Sequence, residues 1–121
     1  MRKVTELLPN QVFVFGSNTE GRHGKGAAKQ AMQWGAVYGI SAGHHGQTYA
    51  IVTKELDKAY PPVKLSEIQA QLEQLARYAK AKESLQFLLT PVGTGLGGFT
   101  IEELESIMPD MPDNVICPYG S

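Results

Sequence analysis

Residues 12–26 read VFVFGSNTEGRHGKG, an apolar run followed by a glycine-rich segment. The run Val12–Phe15 is short, β-branched and aromatic, which predicts a buried strand. The small and polar residues Gly16–Asn18 end this strand, and residues 21–26 predict a loop. A helix is predicted next, over Ala27–Trp34, with alanine and tryptophan on one face. The stretch therefore predicts a strand, a loop and a helix in direct succession.

The same alternation continues along the chain. Further strands are predicted at Tyr49–Thr53, which ends at Lys54, at Leu85–Leu89 and at Asn114–Cys117. Further helices are predicted from Ser66 to about Lys82 and from Thr100 to just before Pro109. Ser66 with Gln69 predicts a capping box for the first of them, and Thr100 with Glu103 predicts one for the second. The glycine-rich residues 35–48 predict a loop. This order favours an α/β fold of three layers, with helices on both faces of a mostly parallel sheet, in one domain over residues 1–121.

The composition narrows the function classes. A formal net charge of −1 argues against affinity through blanket neutralisation of nucleic acid, so no sequence-specific nucleic-acid binding is expected. The one cysteine, Cys117, excludes an internal disulfide and a cysteine-based zinc site. His44 and His45 lack a carboxylate at ligand spacing and predict an exposed polar turn; no metal and no cofactor is expected. Without a signal peptide or an apolar segment of membrane length, a cytoplasmic location is expected.

Two glycine-rich segments, residues 21–26 and residues 93–98, each lie between an apolar strand and a helix. In parallel sheets, ligands bind at the carboxyl ends of the strands. Glycine lets the backbone approach a ligand closely, and the start of the following helix favours negative charge. The pattern therefore predicts a phosphate-binding site. Its predicted ligand-binding residues are Ser17, Asn18, Gly21, Arg22, Gly24, Lys25, Gly26, Gly93, Thr94, Gly95, Leu96, Gly97 and Gly98.

Neither segment fits the commonest nucleotide-binding motifs. Gly93, Gly95 and Gly98 match the pattern G-x-G-x-x-G, but they follow the third predicted strand, and the next strand has no acidic residue at its end. In the first segment, Lys25 is followed by glycine instead of the serine or threonine with which a P-loop holds magnesium. A Rossmann oxidoreductase and a P-loop nucleotidase are therefore both disfavoured.

Three stretches together resemble the macrodomain family. Residues 89–98, LTPVGTGLGG, are similar to the family's phosphate loop, which also follows a strand. Residues 21–28, GRHGKGAA, resemble a loop of the branch that contains the terminal ADP-ribose protein glycohydrolase and the antitoxin macrodomain that removes ADP-ribose from DNA. Residues 49–54, YAIVTK, resemble a strand of that branch. The similarity runs from about residue 11 to residue 117, and the chain is shorter than most macrodomains.

The resemblance implies a site for ADP-ribose. Asn18 and residues 21–26 would lie beside the distal ribose, and residues 93–98 would wrap the diphosphate. In the glycohydrolase branch a lysine attacks the anomeric carbon and a carboxylate of the phosphate loop assists; Lys54 falls on the lysine position, but Gly97 falls on the acidic one. His23, where that branch has methionine, is a candidate ribose contact or acid/base. Lys54 and His23 are therefore the candidate catalytic residues.

Three functions remain open from the sequence. The first is a module that binds ADP-ribose or a related nucleotide, with Lys54 as a charged contact. The second is a hydrolase that removes ADP-ribose from a modified macromolecule, which the missing carboxylate disfavours, because proton transfer contributes about 10²–10⁴-fold. The third is a phage- or defence-type interaction protein that sequesters a nucleotide signal or carries a vestigial pocket. Trp34 and Tyr38 are candidates for an adenine contact or for helix packing.

Overall fold

A computed structural model describes residues 5–94 and 98–117. Within them the strands are β1 (Gln11–Asn18), β2 (Gly43–His45), β3 (Thr48–Lys54), β4 (Gln86–Leu89) and β5 (Val115–Ile116). The helices are α1 (Gly26–Ala31), α2 (Leu65–Ala81) and α3 (Ile101–Ser106), and a 3-10 turn over Met32–Trp34 follows α1. None of these helices is long and apolar enough to cross a membrane.

The strands form one mixed sheet in the order β2-β3-β1-β4-β5. All neighbours pair in parallel except β2, which runs antiparallel to β3. The central strand β1 is apolar toward both faces: Val12 and Val14 join one core cluster, whereas Phe13 and Phe15 join the other. A strand covered on both faces carries a continuous apolar run, which is why this segment shows no alternation with polar residues.

Helices cover both faces of this sheet. The buried stripe of α2 packs on the face of Val12 and Val14, and Leu104 of α3 joins the same cluster. That stripe recurs at helical spacing and consists of Ile68, Leu72, Leu75 and Ala79. On the opposite face, α1 packs two buried alanines against Phe13 and Phe15. The three layers confirm the predicted α/β class and the mostly parallel sheet.

The prediction that residues 35–48 form a loop is wrong in part, because β2 forms a hairpin with β3. His45 pairs with Thr48, and the Thr48 hydroxyl donates a hydrogen bond of 2.6 Å to the His45 carbonyl. Gly46 turns the chain with a φ of +57°, and a Cβ there would lie 2.7 Å from the Trp34 carbonyl oxygen. A three-residue strand of glycine and histidine has no apolar periodicity, so no sequence pattern indicated it.

His44 is half-buried and does not lie in the exposed polar turn that was predicted. Its Nδ1 is hydrogen-bonded to the Tyr78 hydroxyl of α2, and its ring lies edge-on to Phe87. Burial lowers the pKa of His44 from its ordinary value. Within the described residues no group of three potential ligands is placed to hold a metal ion. His44 therefore serves in this core as a neutral, hydrogen-bonded aromatic side chain.

The start of α2 also differs from its prediction, whereas that of α3 agrees. The N-cap of α2 is Lys64, so Ser66 lies inside the first turn and opens no capping box. The lysine side chain has no acceptor for the Glu67 N–H, so only one of the two bonds of a capping box forms. In this bond the Lys64 N–H donates to the Glu67 carboxylate at 3.1 Å. At α3, Thr100 and Glu103 make both bonds of the predicted capping box, each 3.0 Å long.

Candidate functional site

Three neighbouring strands end at one edge of the sheet and border a cleft. β3 ends at Lys54, β1 at Asn18 and β4 at Leu89. Their parallel pairing brings these carboxyl ends side by side, where ligands bind in open α/β sheets. The cleft has a volume of about 850 Å3, and ligand pockets measure about 300–1,000 Å3. It is therefore large enough for a ligand of nucleotide size.

Most of the predicted site residues lie on this cleft. Its lining includes Ser17, Asn18, Arg22, Gly24, Lys25, Lys54, Gly93 and Thr94. The lining does not include Gly21, Gly26, His23 or Gly98, and Gly95, Leu96 and Gly97 lie outside the described residues. The fold thus brings both glycine-rich segments to one cleft, as their position between strand and helix indicated. Their binding of a ligand stays a prediction.

Asn18 shapes the first loop through its own side chain. Its Oδ1 accepts a hydrogen bond from the Arg22 N–H, and its Nδ2 donates to the Arg22 carbonyl, both at 2.9 Å. Gly21 turns between them with a φ of +66°, where an added Cβ would lie 2.5 Å from the Gly39 carbonyl carbon. The amide predicted to contact a ligand therefore already holds the loop closed, and it contributes to the cleft mainly by fixing this turn.

The floor of the cleft depends on the absence of a side chain at Gly16. A Cβ at this position would lie 3.1 Å from the Thr53 hydroxyl oxygen and 3.3 Å from the Gly93 nitrogen. The pairing of β1 with β3 shifts register here, so Asn18 pairs with Lys54 and Thr53 becomes the extra residue. Thr53 is buried and donates a hydrogen bond of 3.2 Å to the Ser17 carbonyl. These contacts bring the start of the second glycine-rich segment against β1.

The threonine hydroxyls at the cleft donate hydrogen bonds to backbone carbonyls. Thr90 donates to the Val14 carbonyl and Thr94 to the Pro91 carbonyl, each at 2.6 Å. The Thr94 N–H also donates a hydrogen bond of 3.2 Å to the Pro91 carbonyl, which closes a tight turn after β4. Thr53 and Thr90 line the cleft but were missed: Thr53 was assigned to a strand, and Thr90 lies between the strand that ends at Leu89 and the second glycine-rich segment. Their position at strand ends was the one signal in the sequence that could have identified them.

The charge on the cleft is positive. Arg22, Lys25 and Lys54 line it, and no acidic side chain does among the lining residues that the structure describes. The chain as a whole has a net charge of −1. Arg22 also pairs with Glu20 at 3.0 Å, but that ion pair is exposed and contributes little to stability. The local excess of cations suits an anionic ligand, because opposite charges attract even in a cleft that is partly exposed to solvent.

Lys54 is exposed at the end of β3, beside the bend that follows. The adjacent Glu55 carboxylate accepts hydrogen bonds from the Thr19 hydroxyl at 2.6 Å and from the Asp57 N–H at 3.0 Å. These bonds hold the pKa of Glu55 below its usual range, with the Thr19 hydroxyl as the main cause. The carboxylate is thus engaged by Thr19, which follows β1, and by the backbone of its own loop, and Lys54 lines the cleft.

Ser17 and His23 form a buried polar pair at the wall of the cleft. Ser17 lines the cleft and is 4% exposed, whereas His23 lies behind it and is 3% exposed. The Ser17 hydroxyl oxygen and the His23 Nε2 are 3.1 Å apart. Burial is the main cause that lowers the pKa of His23, and His45 adds to it. His23 therefore does not line the cleft, although its prediction required a direct contact, and it is connected to the cleft through Ser17.

Tyr38 lies at the rim of the cleft, while Trp34 packs in the core. The Tyr38 side chain is 58% exposed and its ring centroid lies 6.3 Å from that of His23. The Trp34 ring lies 5.0 Å from that of Phe13 and does not line the cleft. Of the two predicted aromatic candidates, Tyr38 alone is placed to contact a ligand.

Comparisons with known proteins bear on the fold alone. No family model matches the chain, and no curated protein matches it. Among solved structures, the chain is similar to a protein of unknown function from Bacteroides thetaiotaomicron, with a TM-score of 0.52 and 19% sequence identity. The match covers 80% of this chain and 78% of that chain. At this identity the similarity concerns the α/β architecture and carries no information about a ligand.

Proposed function

We propose that this protein binds ADP-ribose, or a closely related nucleotide, in the cleft at the ends of β3, β1 and β4. One observation carries the proposal: both glycine-rich segments open on a single cleft whose described lining has three cationic side chains and no acidic one. The resemblance of the same segments to macrodomain loops supports ADP-ribose as the nucleotide.

The cations match the charge of a diphosphate. Lys25 belongs to the first glycine-rich segment, and Lys54 ends β3, so positive charge reaches the cleft from two elements. Two opposite unit charges 4 Å apart attract by about 1 kcal/mol in water and by about 4 kcal/mol near a protein surface. Two or three such contacts favour a ligand with two anionic phosphates over an uncharged sugar or base.

The remaining walls suit a sugar and a flat ring. Ala27 and Ala28, at the start of α1, line the cleft, and neither carries a bulky side chain that would fill it. Lys25 does not cap this helix with its side chain, and the first turn carries no acidic residue. The exposed ring of Tyr38 offers a stacking surface, and stacking of a base on an aromatic ring contributes about 1–3 kcal/mol.

These terms set the expected affinity. Each hydrogen bond to a charged group contributes about 1.5–3 kcal/mol. The entropic cost of association offsets part of the gain from three or four such bonds. A dissociation constant in the low micromolar range, or about −8 kcal/mol, follows. We expect calorimetric titration with ADP-ribose to show such binding, with weaker binding of AMP, which lacks the second phosphate and the distal ribose.

Charge variants make this titration specific. Lys25→Ala and Lys54→Ala are each expected to weaken ADP-ribose binding about 10-fold, the equivalent of one charged contact. Lys80→Ala removes the same charge from the exposed last turn of α2 and serves as the matched control. Absence of heat at millimolar ADP-ribose, or equal effects of all three variants, would contradict the proposal.

Hydrolysis of an ADP-ribosyl bond is the second candidate, and the position of Lys54 favours it. Lys54 lines the cleft at the strand end where the resemblance places a nucleophilic lysine. A lysine nucleophile must lose its proton, which burial or a neighbouring cation promotes, but Lys54 is exposed. Lys54→Arg separates the two roles, because it keeps the charge and removes the nucleophile. Release of ADP-ribose from a modified protein or DNA that persists in Lys54→Arg would exclude the lysine mechanism.

A further inference from the structure

The pair of Ser17 and His23 has a geometry that fixes its hydrogen bonding. Both side chains are buried, and one nitrogen of the imidazole, Nε2, lies 3.1 Å from the Ser17 hydroxyl oxygen. The other nitrogen, Nδ1, has no hydrogen-bond partner among the described residues. The rings of Phe15 and Tyr38 pack edge-on against the imidazole, with centroids at 5.3 Å and 6.3 Å. The surroundings of Nδ1 are therefore largely apolar.

The tautomer of His23 follows from this arrangement. A neutral imidazole carries one proton, and the nitrogen without it is an acceptor. An unpaired buried N–H is rarer in proteins than an unpaired buried acceptor, because the N–H loses its full hydrogen bond. This favours the tautomer with its proton on Nε2, which donates to Ser17, and with a bare Nδ1. Burial, which lowers the pKa of His23, keeps the ring in this neutral form.

The proton of the Ser17 hydroxyl must then point elsewhere. The nearest carbonyl, that of Asn18, lies 3.4 Å from the hydroxyl oxygen, longer than a normal O–H···O bond. We propose that His23 is a positioning residue: by donating to Ser17, it directs the Ser17 hydroxyl as a donor into the cleft, toward an anionic phosphoryl oxygen of the ligand. This inference rests on the proposed function for the identity of that ligand.

The inferred tautomer argues against a nucleophilic role for this pair. A histidine that activates a serine accepts the hydroxyl proton at Nε2 and is held by an acceptor at its Nδ1–H. Here Nε2 is the donor, and no acceptor meets Nδ1 within the part of the chain that the structure describes. Ser17 is therefore a binding residue and His23 acts through it. A ligand without an acceptor at this position would leave the hydroxyl unpaired and bind less tightly.

A measurement without ligand tests the tautomer. Nitrogen-15 labelling of the histidines in the full chain, with long-range proton–nitrogen correlation spectra, distinguishes a protonated from a bare ring nitrogen. The three histidines are assigned with His23→Gln, His44→Gln and His45→Gln. A bare Nδ1 and a protonated Nε2 in His23 are expected at pH 7. A proton on Nδ1 would overturn the inference.

A mutant cycle tests the contact with the ligand. Ser17→Ala is expected to weaken ADP-ribose binding about 10-fold, and His23→Phe several-fold, since the hydroxyl loses its direction. His23→Gln restores a donor near the position of Nε2 and is expected to recover most of the affinity. In the Ser17→Ala background His23→Phe should change nothing further. Additive losses in chains of equal thermal stability would show that His23 acts independently of Ser17 and would overturn the inference.

The two proposals fail in different ways. Absence of ADP-ribose binding by the unchanged chain counts against the proposed function, and the spectra of the ligand-free protein still decide the orientation of the hydroxyl. A proton on Nδ1 in a chain that binds ADP-ribose overturns the role of His23 and leaves the proposed function intact.

Discussion

Replacement of Gly16 with alanine tests the packing that joins the two glycine-rich segments. The new Cβ would lie 3.1 Å from the Thr53 hydroxyl oxygen and 3.3 Å from the Gly93 nitrogen. Both distances are shorter than the roughly 3.5–4.0 Å of a favourable carbon contact. Gly16 does not have a positive φ, so backbone strain adds nothing. Overpacking of this kind costs about 1–3 kcal/mol, and relief requires the turn at Gly93 to move away from β1.

The magnitude is accessible to thermal denaturation. For a domain of this length, each kcal/mol lowers the melting temperature by roughly 4 °C, so a decrease of about 4–12 °C is expected. Gly24→Ala is the matched control, because Gly24 lines the same cleft and a Cβ there meets nothing within 4 Å. We expect Gly24→Ala to retain the melting temperature of the unchanged chain, and Gly16→Ala to bind ADP-ribose more weakly. Equal melting temperatures of the two variants would refute the close contact between β1 and Gly93.

Other parts of the site and core give three more expected outcomes. Asn18→Ala removes the two hydrogen bonds between the Asn18 amide and the backbone of Arg22, so amide hydrogen exchange in residues 21–26 should accelerate. Unchanged exchange would contradict the role of Asn18 in holding this loop. Gly21→Ala combines a positive φ with a Cβ 2.5 Å from the Gly39 carbonyl carbon, so its urea midpoint should fall, and an unaltered midpoint would refute this turn. Burial lowers the pKa of His23 and His44 in the folded chain. As the pH falls below about 6.5, the unfolded chain therefore binds protons before the folded chain does. Urea titrations should show a free energy of unfolding that decreases from pH 7 to pH 5. His23→Gln should flatten this decrease, and an identical pH dependence would exclude His23 as a contributor.

The sequence determined those elements whose stabilisation is local or periodic. The run at β1 and the stripe of α2 predicted buried segments because burial on both faces, or on one helix face, leaves a pattern of apolar residues. Thr100 and Glu103 predicted the start of α3 because both partners of the capping box lie within one turn. By contrast, β2 has no pattern of its own and exists because β3 offers an edge and Gly46 fits beneath Trp34.

The position of the cleft was predictable, but the use of its side chains was not. Placement of two glycine-rich segments after apolar strands indicated one shared edge of the sheet, since parallel strands end together. The partner of each polar side chain depends on folding: the Thr90 hydroxyl reaches Val14 on a neighbouring strand, and His23 reaches Ser17 behind the first loop. No spacing in the sequence encodes these pairs, and so His23 was expected to face the cleft, which it does not line.

What the fold leaves unpaired determines what the cleft can recognise. The Asn18 amide and the hydroxyls of Thr90 and Thr94 are hydrogen-bonded to backbone groups, which fixes the orientation of these side chains without a ligand. Other donors on the described part of the cleft are the cationic side chains and the hydroxyls of Ser17 and Tyr38, and on our proposal His23 directs the hydroxyl of Ser17. Under the proposed function these donors favour a ligand rich in acceptors, and charge makes phosphate the strongest of these. Preorganisation of this kind lowers the entropic cost of binding, so the proposed micromolar affinity for ADP-ribose would require few direct contacts.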